Sequence, residues 1–299
     1  MSLRALFDVP APAKLNLFLH VVGRRPDGYH LLESVFALID WTDTLHFELR
    51  TDGVLRRHDL TDPLPADDLC LHAARALQQH AGCALGADIS IDKRIPCGAG
   101  LGGGSSDAAT VLLALNRLWG LGWSRARLVE VAAGVGADVP FFVFGRNALA
   151  RGIGEQLQSC EVSPTAFAVL KPQASIATAE LFRSPLLKRD TSSLTLLGFP
   201  GDANAPIPAA DAARLSDGFG VNDLQAAAEA SCAEVAQALR LMARTFGNSR
   251  MTGSGSAVFS RVGAGVRPEA TWPCGDLPPG WVGRLCRSLP VHPLEAWVG

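Results

Sequence analysis

The segment Pro96-Cys97-Gly98-Ala99-Gly100-Leu101-Gly102-Gly103-Gly104-Ser105-Ser106 narrows the fold of this chain more than any other. Five of the seven residues from 98 to 104 are glycine. Each glycine loses more backbone freedom on folding than any other residue. Such a run is tolerated where backbone N–H groups must approach something closely. It stands between a short strand pattern at 87–92 and an apolar stretch at 106–119 that Gly120 stops. The first N–H groups of a helix lack intrahelical partners and carry partial positive charge. A glycine run opening a helix is therefore suited to hold phosphate. Ser105 and Ser106 add hydroxyls able to cap the helix or touch a phosphate or a metal ion.

Competing patterns fit less well. Gly98-x-Gly100-x-x-Gly103 matches the dinucleotide fingerprint formally, but a strand ending in an acid should follow about 20 residues on. That position falls instead in the helical pattern of 119–133. A Walker loop fails because no lysine precedes Ser105 or Ser106. A merely flexible loop gives no reason for so many glycines opening directly onto an apolar helix. A phosphate cradle is the expectation.

Composition sets outer bounds. The 299 residues suggest two domains or one large one. At 48% hydrophobic and 19% charged, the chain can bury a substantial core, which excludes a mainly disordered protein. The net charge of -2 gives no electrostatic footprint for nucleic acid or an anionic membrane. No apolar run approaches the ~18 residues of a membrane span, and residues 1–10 do not read as a signal peptide. The seven cysteines are odd in number and none stand at C-x-x-C spacing, which points to reduced thiols in a cytoplasm. The scattered histidines suggest no dedicated metal site.

Patterning predicts strands at 15–22, 34–40, 44–49, 87–92, 141–144 and 167–171, with a turn at 23–28. Helices are expected at 67–80, at 106–119, from Ser124 to about 133, and from Asn222 to about 246. Residues 184–220 read in part as a long surface loop carrying Asp-Ala-Asn-Ala-Pro-Ile-Pro. Residues 250–262 read as a second glycine loop, Thr252-Gly253-Ser254-Gly255-Ser256, leading into a strand. The tail from 263 is rich in proline and glycine and poorly specified. Strands and helices mix without strict alternation, so the expected class is α+β. The expected domains are 1–155 and 156–299.

Outside the loop, single residues are ambiguous. Period-two spacing puts Lys14 and Asn16 on one strand face, opposite Leu15 and Leu17, with Leu19 and Val21 also on the core face. By itself that reads as a solvent-facing lysine. Asp138, in Gly136-Ala137-Asp138-Val139-Pro140, is most simply a cap or turn residue. Asp27-Gly28-Tyr29-His30 reads as a turn, although an aromatic ring beside an imidazole can also stack on and hydrogen-bond a base.

Taken in order, Pro12-Ala13-Lys14-Leu15-Asn16-Leu17, the Gly-Leu-Gly-Gly-Gly-Ser-Ser loop and Thr252-Gly253-Ser254-Gly255 resemble the GHMP kinase superfamily. Within it, Arg25-Pro26-Asp27-Gly28-Tyr29-His30, the triple glycine, Gly136-Ala137-Asp138-Val139-Pro140, Asn222-Asp223-Leu224 and Ser249-Arg250-Met251-Thr252-Gly253 are similar to the branch whose small-molecule substrate carries a cytidine diphosphate group. The resemblance spans about residues 10–260, and the tail departs from it.

The resemblance implies a two-domain GHMP kinase fold, with a ribosomal-protein-S5-like N-terminal domain and a ferredoxin-like C-terminal domain around a cleft. It implies ATP and Mg2+, with Pro96, Cys97, Gly98, Ala99, Gly100, Leu101, Gly102, Gly103, Gly104, Ser105 and Ser106 around the phosphates and Ser105 or Ser106 near the ion. It implies Asp138 as the catalytic aspartate with Lys14 beside it, stabilising developing charge. Asn16, Tyr29, His30, Thr178 and Phe182 would contact substrate. Tyr29 would stack on the base and His30 would read its edge. Phe182, in a stretch that resembles a second stacking wall, fits a core role equally well. Oligomeric state is not legible.

Overall fold

The computed structural model describes residues 3–61, 63–66, 68–194, 207–262, 272 and 275–298. The chain opens with two long antiparallel strands, β1 (Ala5–Arg24) and β2 (His30–Arg50). The expected Pro26-Asp27-Gly28 turn joins them, with Gly28 at φ 92° and Arg25 N–H donating to Tyr29 O at 2.7 Å. The strands expected at 34–40 and 44–49 are one continuous β2. On its far side β2 pairs with β4 (Gly86–Asp92) and β5 (Ala148–Arg151). β3 (Leu55–Asp59) lies beyond β4 and β6 (Gln156–Ser159) beyond β5, completing a six-stranded sheet.

Helices α1 (Leu69–Ala81), α2 (Gly103–Leu118), α3 (Arg125–Ala133) and α4 (Val139–Phe144) cover one face of that sheet. Asp68 caps α1 by accepting from Leu71 N–H at 3.0 Å, and Ser124 caps α3 as its position suggested. α2 starts three residues earlier than expected, so Gly103 and Gly104 form its first turn. The strand expected at 141–144 is instead α4. Its first turn holds Pro140 and its end holds Gly145 at φ 77°. Proline is tolerated in a helix's first turn and glycine in a left-handed C-terminal position.

A second sheet has the order β10 (Val282–Arg287), β7 (Ala166–Lys171), β9 (Val258–Val262), β8 (Arg250–Met251). The chain thus changes sheet between Ser159 and Ala166. Leu15, Val35 and Ile39 of the first sheet share a core with Phe167, Val169 and Phe259 of the second. α7 (Gln225–Ser231) and α8 (Ala233–Phe246) close the outer face of the second sheet. The helix expected from Asn222 to 246 is therefore two helices, broken at Cys232. α5 (Thr178–Arg183) and α6 (Ala209–Ser216) flank a segment whose residues 184–194 run without regular structure. Most of the Asp-Ala-Asn-Ala-Pro-Ile-Pro stretch, and the tail at 263–271, lie outside the described residues. The tail does supply β10.

The first sheet is buried on both faces, which corrects the expectation for Lys14 and Asn16. Both sit opposite Leu15 as spacing required, but their face lies under the helices; Lys14 is 3% exposed and Asn16 2%. The alternation of 15, 17, 19 and 21 also breaks. A register shift between Asn16 and Leu19 lets Phe18 join Leu15 and Leu17 in the inter-sheet core, while Leu19 and Val21 enter the core of the second sheet and α8.

Candidate active site

Two cavities, of about 420 and 430 Å³, flank the glycine segment and share Leu69, Gly100, Gly102 and Ser105 in their walls. The first is walled by the backbone of residues 96–104. The second contains Lys14, Asn16, Asp138, Thr178 and Phe182. The segment is their partition, held by backbone on both sides. Lys14 N–H donates to Leu101 O at 2.9 Å, and Ala257 N–H to Ala99 O at 3.0 Å. Ala99 and Leu101 turn their side chains into the inter-sheet core, so only their backbone faces the site. Pro96 is half-buried and Cys97 exposed at the mouth of the first cavity.

The glycines divide by cause. A side chain on Gly100, at φ 74°, would sit 2.4 Å from Thr252 O, and one on Gly102, at φ 73°, 2.9 Å from Phe142 Cζ. These two are required by the protein itself. Gly104 is different: a Cβ there would meet nothing within 4 Å. It lies in the first turn of α2, whose opening N–H groups have no intrahelical partner. Open space over unpaired donors fits an incoming anionic group. Ser105 borders both cavities, whereas the Ser106 hydroxyl is fully buried and donates to Pro12 O at 2.7 Å. Of the two serines, Ser105 alone offers its hydroxyl to the site.

In the second cavity, Lys14 Nζ lies 2.5 Å from Asn16 Oδ1 and 3.4 Å from Asp138 Oδ2. It also stands 5.0 Å from the centre of the Phe36 ring. Asn16 Nδ2 donates to Ser34 Oγ at 2.8 Å, and Asn16 N–H to Thr252 Oγ1 at 2.9 Å. The Asn16 amide therefore sets the lysine, with one N–H to spare. Asp138 occupies the N-cap position of α4 yet makes no capping hydrogen bond, and its side chain is 32% exposed. A carboxylate beside a fixed cation, with free lone pairs facing a cavity, can accept a proton from a hydroxyl placed there.

The other expected contacts assemble in part. His30 and Phe182 stack at 4.8 Å with 23° between planes. Phe182 lines the second cavity and also packs against the outer core. Burial, then the cations Arg189 and Arg24, hold the His30 imidazole below its ordinary pKa. Thr178 Oγ1 is hydrogen-bonded to Ser254 Oγ at 2.7 Å, tying α5 to the C-terminal glycine loop. Tyr29 stands apart on the hairpin, 62% exposed.

Sequence patterning passed over a buried knot beside the first cavity. Lys93 Nζ contacts Asp43 Oδ2 and lies 2.7 Å from Asp107 Oδ2. Asp43 Oδ1 also accepts from Arg94 N–H and from Ile95 N–H, at 2.5 and 2.7 Å. An acid following Ser-Ser in an otherwise apolar helix was the available signal. Asn222, expected to cap a helix, lies two residues ahead of Leu224, the N-cap residue of α7, and accepts from Leu224 N–H at 3.0 Å; it and Asp223 also tie the site together. Asn222 Nδ2 donates to Met251 O and Gly253 O, both at 2.8 Å, and Asp223 Oδ2 accepts from Val21 N–H at 2.7 Å. Among the described residues no group of three or more His, Cys, Asp or Glu could hold a metal ion, and no helix is long and apolar enough to cross a membrane.

Known proteins resemble this chain in sequence and in fold. The GHMP kinases N terminal domain family matches residues 68–146, the span carrying the glycine segment and Asp138. The 4-diphosphocytidyl-2-C-methyl-D-erythritol kinase of Methylibium petroleiphilum is 60% identical over 300 residues, covering 100% of each chain. That of Verminephrobacter eiseniae is 52% identical, covering 99% of this chain and 98% of its own. A crystal structure of a 4-(cytidine 5'-diphospho)-2C-methyl-D-erythritol kinase matches with a TM-score of 0.66 at 36% identity, over 84% of this chain and 88% of that one. By full-length identity, and by the order of its three motifs around one cleft, the chain belongs to the 4-diphosphocytidyl-2-C-methyl-D-erythritol kinase family of GHMP kinases.

Proposed function

We propose that the chain transfers the γ-phosphoryl group of ATP to the 2-hydroxyl of 4-diphosphocytidyl-2-C-methyl-D-erythritol, a step of non-mevalonate isoprenoid precursor synthesis. The observation that carries this is the partition itself: a helix-opening glycine segment separates one cavity from a second that holds Lys14 and Asp138. Phosphoryl transfer needs positioning and charge neutralisation more than covalent chemistry. The N–H groups opening α2 bind the phosphates through the space over Gly104. Asp138 accepts or orients the proton of the acceptor hydroxyl. Lys14, fixed by Asn16, sits where negative charge develops on the transferred group. Ser105, whose hydroxyl faces both cavities, would hold Mg2+ bound with ATP; the ion, when bound, neutralises phosphate charge. His30 and Phe182 flank the cytosine end, with Tyr29 closing on the base from the exposed hairpin. Six free cysteines among the described residues suit a reducing cytoplasm.

The test is ADP release from Mg-ATP with the cytidine substrate beside mevalonate, homoserine and galactose, using wild type and Asp138→Asn. The expected result is turnover of the cytidine compound alone and a folded, inactive variant. Preference for another alcohol would overturn the substrate assignment. ATP binding without turnover of any of them would make the chain a nucleotide-binding relative.

A further inference from the structure

Arg189 lies in the irregular stretch after α5 and touches no catalytic group. Its Nη2 donates to the carbonyls of Phe182 and Ser184, at 2.9 and 3.0 Å, and its Nη1 to Leu187 O at 3.1 Å. Its Nε points to His30 Nε2 at 3.4 Å. Among the described residues no carboxylate pairs with it within 4.0 Å. A half-buried cation is thus spent on three carbonyls of the turn that ends α5 and on one imidazole nitrogen. A guanidinium only donates and does not lose its proton. The nitrogen it faces must therefore carry a lone pair, which leaves His30 neutral with its proton on Nδ1. That N–H makes no hydrogen bond to a described residue, and the ring is held flat against Phe182.

We propose that Arg189 is a positioning residue for base selection: it fixes His30 as a one-way donor, Nδ1–H outward, beside the Phe182 ring. This rests on the assignment of His30 and Phe182 to the cytosine end given above. A fixed donor suits the acceptor at cytosine N3 and opposes the N–H that uracil carries at the same position. Leaving two donors face to face forfeits a hydrogen bond and strands a polar group, so the expected preference for the cytidine compound over its uridine analogue is roughly 10- to 100-fold. Without Arg189 the imidazole can present either nitrogen, and the preference collapses.

The experiment measures kcat/KM for the cytidine substrate and its uridine diphosphate analogue with the full chain. The variants are Arg189→Met, Arg189→Lys, His30→Ala and the double variant His30→Ala with Arg189→Met. Wild type should prefer cytidine. Arg189→Met should lose about tenfold of that preference through KM more than kcat, and Arg189→Lys should lose less. The double variant should be no worse than His30→Ala, because a residue acting only through another adds nothing once that partner is gone. Additive losses, an accompanying rise in the KM for ATP, or an unchanged preference would reduce Arg189 to a structural brace. Nitrogen-15 NMR of ligand-free protein supplies a readout independent of turnover. It should find the His30 lone pair on Nε2 in wild type and a mixture of tautomers in Arg189→Met; a proton on Nε2 in wild type overturns the proposal. A wild type that turns over neither nucleotide removes the kinase assignment and this proposal with it. A cytidine-selective wild type whose Arg189→Met keeps its selectivity removes Arg189 alone.

Discussion

Two lysine–aspartate pairs flank the same glycine segment, and they are built to opposite ends. Lys93 meets Asp43 and Asp107 with side chains 10%, 0% and 2% exposed. Lys14 meets Asp138 at 3.4 Å, with the lysine 4% exposed and the carboxylate 32%. In the first pair the cation is shared by two acids that come from β2 and α2, so the knot clamps a helix to its sheet. In the second the lysine is spoken for by Asn16 while the carboxylate is left open to a cavity. The residue types are identical. What separates the two pairs is whether the carboxylates are sealed inside the protein or one of them is left open to a cavity.

Breaking the open pair should have the largest effect. Asp138→Asn should lower kcat by about 10²–10⁴-fold, the range for removing a positioned proton acceptor. Its urea midpoint should match wild type, since Asp138 makes no capping hydrogen bond. Breaking the closed pair should do the reverse. Lys93→Met leaves two buried acids facing each other without a cation, which costs about 3–5 kcal/mol of folding stability. Equilibrium urea unfolding of the two variants side by side checks both. Lost stability in Asp138→Asn, or unaltered stability in Lys93→Met, would erase the distinction between the pairs.

How far this contrast could be read in the sequence depends on where the covering atoms come from. The glycine segment, α2 and the Lys14 strand were legible because spacing and composition within a dozen residues specify them. The burial of Lys14 was not, because Phe36 and Phe142, which close over that region, come from distant elements. The Lys93 knot was illegible for the same reason, since Asp43 stands 50 residues before Lys93 and Asp107 14 after. The four apolar residues at 141–144 suit a buried strand or a buried helix equally, and only Pro140 and Gly145 favoured the helix. The bulge that carries Phe18 into the inter-sheet core leaves no mark in an alternating pattern. Asp138 was locatable only through resemblance, for its own neighbourhood reads as a turn.

The glycines between the pairs sharpen the contrast at smaller scale. Gly102→Ala forces a side chain into a left-handed position against Phe142 and 3.2 Å from Lys14 Cε. It should cost about 1–3 kcal/mol and displace the lysine as well. Gly104→Ala meets no protein atom, and alanine favours a helix over glycine by up to about 1 kcal/mol. Stability should hold or rise slightly while the KM for ATP climbs several-fold. Thermal melting together with ATP titration separates the two; a Gly104→Ala variant with unaltered ATP affinity would place the phosphates elsewhere.

The last expected effect lies inside the closed knot and appears as a slope rather than a step. Asp43 receives Lys93 and two backbone N–H groups, whereas Asp107 has Lys93 alone and one buried oxygen without a partner. Burial pushes the Asp107 carboxyl up to about 8, with the Lys93 cation opposing the shift and the Asp43 charge adding to it. A carboxyl raised in the folded state binds more protons there than in the unfolded chain. Its contribution to stability is therefore complete below the ordinary carboxylate range and is lost as pH rises towards 8. Asparagine keeps the shape and cannot ionise. The stability of wild type relative to Asp107→Asn should fall steadily as pH rises from 5 towards 8. Urea unfolding of both proteins across that range reads the slope directly. Parallel curves would mean that Asp107 binds its proton no more tightly in the folded protein than in the unfolded chain, and that Lys93 outweighs burial in setting its charge.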